Sequence, residues 1–182
     1  MQHPLRRPYG AIVLSWAALA ATLAPAAPSL AEGLRPPADA APPAGPASAG
    51  HWRFYASPYT YHWQYNPEHR PVWSLGVEWQ RPQGWLLGGA FFRNSFDQPS
   101  TYLYGGRRWS GLLDKPPFYV QFTAGLLYGY RGRYANKVPL NRNGYSPGAV
   151  LALGWEFDRH HSVSLDVLGA SAVMFQYNYD LR

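Results

Sequence analysis

The sequence predicts an all-β domain, an eight-stranded antiparallel transmembrane β-barrel over residues 51–182, preceded by an export leader and a linker. Three observations predict it. They are a leader at the amino terminus, eight aromatic-rich runs separated by turn residues, and alternation of apolar and polar side chains along several of those runs.

The leader sets the compartment. Arg6 and Arg7 make a basic start, and Ala11 to Ala24 form an apolar stretch too short and too rich in alanine to cross a bilayer as a helix. Ser29-Leu30-Ala31 supplies a small-residue cleavage signal, so residues 1–31 read as a signal peptide and the mature chain starts at Glu32. The chain has no cysteine, which suits an oxidising compartment and leaves packing or lipid as the source of stability. Of sixteen Lys and Arg, Arg6 and Arg7 leave with the leader, so the mature charge against ten acids is about +4. That mild excess does not describe a nucleic-acid-binding protein.

Residues 32–50 are almost entirely Ala, Pro, Gly and Ser, a composition that cannot bury enough apolar surface to offset the entropy of ordering. They read as a flexible linker. The texture changes at Trp52, and no eighteen-residue apolar run occurs after the leader, so the mature sequence contains no helical span. Aromatic residues nevertheless make up 16% of the chain, and something apolar must accept those rings.

The eight runs are Trp52 to Tyr65, Val72 to Arg81, Trp85 to Ser95, Thr101 to Trp109, Phe118 to Arg131, Pro147 to Phe157, His161 to Leu168, and Val173 to Leu181. Eight is an allowed barrel number, and most of the runs are long enough for a tilted strand to cross hydrocarbon. In the last run Val173, Phe175, Tyr177, Tyr179 and Leu181 alternate with Met174, Gln176, Asn178 and Asp180. One face suits lipid and the other a polar lumen. The fifth run sets Phe118, Val120, Phe122, Leu126, Tyr128 and Tyr130 against Gln121, Thr123, Gly125, Gly129 and Arg131, and the seventh carries Val163, Leu165 and Val167 on one face. The third and sixth runs are apolar on both faces, which predicts a lumen greasy on one side and able to hold an acyl chain.

With the amino terminus in the periplasm, the connections after the first, third and fifth runs lie at the cell surface. His62 then sits near the outer end of the first run on its polar face, and Asn94 and Ser95 close the third run at the same height. An imidazole, a hydroxyl and an amide at one level of a narrow barrel make a candidate for base-assisted acyl transfer.

The segments Pro58-Tyr59-Thr60-Tyr61-His62-Trp63, Ala90-Phe91-Phe92-Arg93-Asn94-Ser95-Phe96 and Phe122-Thr123-Ala124-Gly125 resemble the lipid A palmitoyltransferase family in order and spacing. The resemblance covers roughly Tyr55 to the carboxyl terminus. It implies transfer of a palmitoyl chain from a phospholipid donor to lipid A, with no cofactor, in the bacterial outer membrane, by a monomer inserted by the barrel assembly machinery. It places the family histidine on His62 and the family serine on Ser95, while Asn94 stands where the family has aspartate, with Asp97 and Glu68 as nearby acids. The glycine that sets acyl length resembles Gly106 or Gly105. The amphipathic helix found ahead of the barrel in family members is replaced by the Ala/Pro linker, and the chain ends in Arg182 rather than an aromatic residue.

Plainer readings stand beside these. His62 could be a hydrogen-bonded lumen residue, and Asn94-Ser95 before Asp97 and Pro99 is ordinary turn chemistry. Arg131, Arg133, Lys137 and Arg142 could pair with lipid phosphates or be solvated loop charge. His160-His161 has no acidic cluster beside it, so no metal site is assigned. The alternative function is a non-catalytic outer-membrane barrel serving stability, adhesion or solute passage. A lipid A deacylase is a third reading, for which no separate His-Ser-acid cluster is found.

Overall fold

The computed structural model describes residues 49–111 and 117–182. The predicted leader and nearly all of the predicted linker lie outside those residues. Eight strands form one closed antiparallel barrel in sequence order: β1 (His51–His62), β2 (Ser74–Gln80), β3 (Trp85–Arg93), β4 (Pro99–Ser110), β5 (Phe118–Tyr128), β6 (Tyr145–Glu156), β7 (His161–Leu168) and β8 (Ala172–Leu181). All eight predicted runs form strands, with ends shifted by up to three residues. A 3₁₀ segment, Gly132–Lys137, occupies the β5–β6 loop and was not predicted.

Closure comes from β1 pairing with both β2 and β8, which removes the free edges that a sheet would otherwise expose. The β1–β8 register shifts between Ala56 and Tyr59, at Pro58, whose missing N–H cannot join a ladder. The shift turns Thr60 and His62 to the lumen and Tyr59 and Tyr61 to the outside. Two ladders are shorter than their strands. The β1–β2 pairing stops at Ser57 and Ser74, and the β6–β7 pairing stops at Leu151 and Val167.

The alternation read from the sequence sorts the two faces. Phe175, Tyr177, Tyr179 and Leu181 are outside, while Gln176, Asn178 and Asp180 are buried inside. The outer face carries Leu75, Leu87, Leu103, Leu126, Leu151 and Leu165, with Trp and Tyr toward both rims. An apolar band between aromatic girdles is the surface that a bilayer accepts and water does not.

The lumen has two halves. Toward the chain termini, Arg53 donates from Nε and Nη2 to Asp180 at 2.7 and 2.6 Å, and Arg108 donates to Glu156 at 3.1 Å. Above them Glu78 accepts from Tyr104, Gln121 and Gln80, and Tyr104 shares a 2.8 Å hydrogen bond with Tyr55. Inward glycines make room for the rings: a Cβ on Gly76 would run into Tyr55, and one on Gly154 into Tyr119. In the half nearer β3 to β6, Leu86, Tyr102 and Tyr104 pack with the partly buried Ala90, Phe92, Leu127 and Val150. The lumen is therefore apolar along one side, as the third and sixth runs predicted.

Candidate functional site

The outer rim is built from four connections: residues 63–73, the turn after β3, the long β5–β6 loop, and the short turn of residues 169–171 between β7 and β8. Ser95 owes its position to the β3–β4 turn. Asn94 Oδ1 accepts from the backbone N of Phe96 at 2.9 Å and of Gln98 at 3.1 Å, and Asp97 N donates to Asn94 O at 2.9 Å. Asp97 adopts φ 59°, a left-handed conformation that short polar side chains tolerate. The tight turn lifts Ser95 out of the ladder and points it along the rim.

There it meets the last residue of β1. His62 Nε2 lies 2.7 Å from Ser95 Oγ, with Ser95 buried and the imidazole half-buried. With the ring proton on Nδ1, Nε2 accepts the serine proton, which is the geometry a general base requires.

The remaining predicted site residues are placed as follows. Asn94 is buried, and its amide donates to Ser100 Oγ at 3.1 Å and to Gly129 O at 3.5 Å, so it serves the turn and makes no hydrogen bond to His62. Asp97 pairs with Arg93 at 2.7 Å, and Glu68 with Arg133 at 3.4 Å. Arg133 also bonds the Tyr134 hydroxyl, while the Arg131 guanidinium lies over Tyr128 at 5.6 Å. Both arginines are exposed at the outer rim. Gly106 faces inward, where a Cβ would strike the Phe122 carbonyl oxygen, so the β4–β5 approach uses the space. Gly105 faces outward and a Cβ there would make only an ordinary contact.

His69 and Tyr134 carried no sequence signal, and nothing in the sequence joined them to Phe96 or Lys137. His69 packs on His62 with ring centroids 4.4 Å apart, and Phe96 meets His69 at 5.4 Å and stacks on Tyr134 at 4.2 Å. Lys137 lies over Phe96 at 5.6 Å. Burial lowers the His69 pKa, Lys137 lowers it further, and Glu68 opposes them. Burial pushes the Tyr130 phenol up to about 12, against a smaller opposing effect of Ser95. These residues come from loops without periodicity, so only the folded rim reveals their proximity.

Closure, strand length and an apolar exterior define the class: a small transmembrane β-barrel of the outer-membrane kind. No protein-family model matches the chain, and no curated protein sequence does. Among solved structures, a de novo designed transmembrane β-barrel is similar to it at 12% identity and a TM-score of 0.54, over 73% of this chain and 97% of its own. Ail, the attachment invasion locus protein of Yersinia pestis, solved with the heparin analogue sucrose octasulfate, is similar at 12% identity and a TM-score of 0.38, over 73% and 99%. Ail in phospholipid bilayer nanodiscs gives 11% and 0.41, over 72% and 99%. The likeness to the designed barrel is one of fold.

Proposed function

We propose that this barrel is an acyltransferase of the outer membrane, moving a palmitoyl-type chain from a phospholipid to lipid A, as its resemblance to the lipid A palmitoyltransferases implies. The observation that carries the reading is the 2.7 Å contact between His62 and Ser95, two residues on separate elements at the outer rim. In the reaction the attacking hydroxyl gives its proton to His62 Nε2 while its oxygen bonds the donor's ester carbonyl carbon. The ester C–O bond then breaks, and the lysophospholipid oxygen takes the proton back from the imidazole. With Ser95 as a hydrogen-bond partner the attacking hydroxyl is that of lipid A and the transfer is complete. With Ser95 as the nucleophile, the lipid A hydroxyl then gives its proton to His62 Nε2, bonds the carbonyl carbon of the Ser95 ester and displaces Ser95 Oγ, which takes the proton back.

Three further features favour the reading. Ala90, Phe92, Leu127 and Val150 line the apolar side of the lumen with side chains that an acyl chain can lie against. The short β1–β2 and β6–β7 ladders leave backbone unpaired between neighbouring strands in the outer half of the barrel. Arg131 and Arg133 stand at the same rim with charge suited to lipid phosphates.

The second reading, a non-catalytic barrel, is favoured by the Asn94 position, where an amide cannot supply the negative charge that stabilises an imidazolium. Its solute-passage form is disfavoured by the Tyr55–Tyr104 and Glu78–Tyr104 contacts across the lumen. The test is to incubate purified barrel with phospholipid bearing a deuterated sn-1 chain and with lipid A. Release of lysophospholipid with label gained by lipid A supports transfer. Label in neither product, from folded barrel, supports the structural reading.

A further inference from the structure

His69 belongs to the β1–β2 connection, and its ring is held between two others. His62 lies on one side at 4.4 Å with the planes at 45°, and Phe96 meets it at 5.4 Å and 73°. The backbone fixes this placement: His69 N donates to Asn66 O at 3.0 Å, and Arg70 N donates to Ser95 O at 2.8 Å. The second bond ties the His69 segment to the residue that His62 reaches.

A general-base imidazole needs its ring orientation fixed, a task performed in Ser-His-Asp centres by a carboxylate on the other ring nitrogen. Among the described residues no carboxylate bonds His62. Asp97 is engaged by Arg93 and Glu68 by Arg133, and Asn94 is committed to its turn. The groups that meet His62 are Ser95 and His69; Glu68 and Lys137 face His69, and Tyr130 lies beside Ser95.

We propose that His69 is the positioning residue of this centre, its ring clamped between His62 and Phe96 so that it fixes the tilt at which His62 Nε2 meets Ser95. This rests on the acyl-transfer reading of the His62–Ser95 pair. The contact is face and edge packing, which a phenyl ring can reproduce and a methyl group cannot.

The experiment uses full-length barrel in phospholipid vesicles, as wild type, His69→Ala and His69→Phe. Two readouts are taken: kcat and KM for the phospholipid donor, and the imidazole ¹⁵N spectrum of His62, whose Nε2 shift reports the hydrogen bond to Ser95. The expected result for His69→Ala is a kcat lower by about ten- to a hundredfold with KM unchanged, since misplacement acts on orientation. The hydrogen-bonded Nε2 signal should be lost in that variant, and His69→Phe should recover both. Wild-type kcat together with an unchanged Nε2 signal in His69→Ala overturns the proposal. If wild-type barrel transfers no acyl chain, the acyl-transfer reading falls and the ¹⁵N spectrum decides the positioning role alone. Loss in His69→Ala with recovery in His69→Phe upholds it, and no change overturns it.

Discussion

His62 and Ser95 stand 33 residues apart in the chain and 2.7 Å apart at the rim of the barrel. One closes β1 after a register shift and the other is displaced from β3 by the Asn94 turn. Neither neighbour in sequence could deliver the contact. If Nε2 acts as a general base, His62→Gln and Ser95→Ala each lower the transfer rate by about 100- to 10,000-fold. Initial rates on labelled phospholipid check this, and a double variant no slower than either single one shows that the two act as a unit.

Asn94 leads to a different expectation. Its side chain accepts two backbone N–H groups of the turn and donates to Ser100 and to the Gly129 carbonyl just after β5. Asn94→Ala leaves those buried groups unpaired and costs about 1–3 kcal/mol locally. The fall in activity should come with loss of order at Ser95, seen as faster proteolysis of the outer rim in folded barrel. Asn94→Asp keeps both acceptor bonds and should retain the turn.

Stability should reside in the lumen. Arg53 and Asp180 are almost fully buried and bonded through two contacts, so Asp180→Ala strands a buried guanidinium and costs about 3–5 kcal/mol. Urea unfolding in detergent micelles measures it. A loss below 1 kcal/mol would show that water or His51 replaces the carboxylate.

Packing makes a companion prediction. Gly154→Ala forces a methyl group into the Tyr119 ring, which is 1% exposed and cannot swing away. Overpacking of this kind costs about 1–3 kcal/mol. Gly105→Ala, on the outward face, should be close to neutral in the same unfolding assay.

The rim should also respond to pH. Burial first, and Lys137 second, lower the folded-state pKa of His69 below its unfolded value of about 6.5. The unfolded chain therefore binds the proton more readily, and stability falls as pH drops below about 6.5 until the folded value has been passed. Unfolding midpoints at pH 7.5 and 5.0 check this: the acid loss should be smaller in His69→Phe than in wild type. Equal losses would remove His69 from the account.

Much of the barrel was legible in the sequence because period-two alternation is imposed by the pleat and by the contrast between lipid and lumen. Val173 to Leu181 reads as a strand for that reason, and His62 and Ser95 fall where strand ends should be. The turn role of Asn94 was legible only as one of two readings, since the same residue type serves turns and sites. Nor was His69, whose place depends on how residues 63–73 fold back over Ser95 through the Arg70 backbone bond. The lumen pairs are also long-range: Arg53 and Asp180 meet only when β1 and β8 close the barrel.

The most direct test of the central claim is mass spectrometry of lipid A from bacteria producing this chain, or its His62→Ala or Ser95→Ala variant, at matched levels of folded barrel. The expected result is a mass gain of one acyl chain with the wild-type protein and none with either variant. An unchanged spectrum from folded wild-type barrel contradicts it and leaves the non-catalytic reading, while a loss of mass points to deacylation.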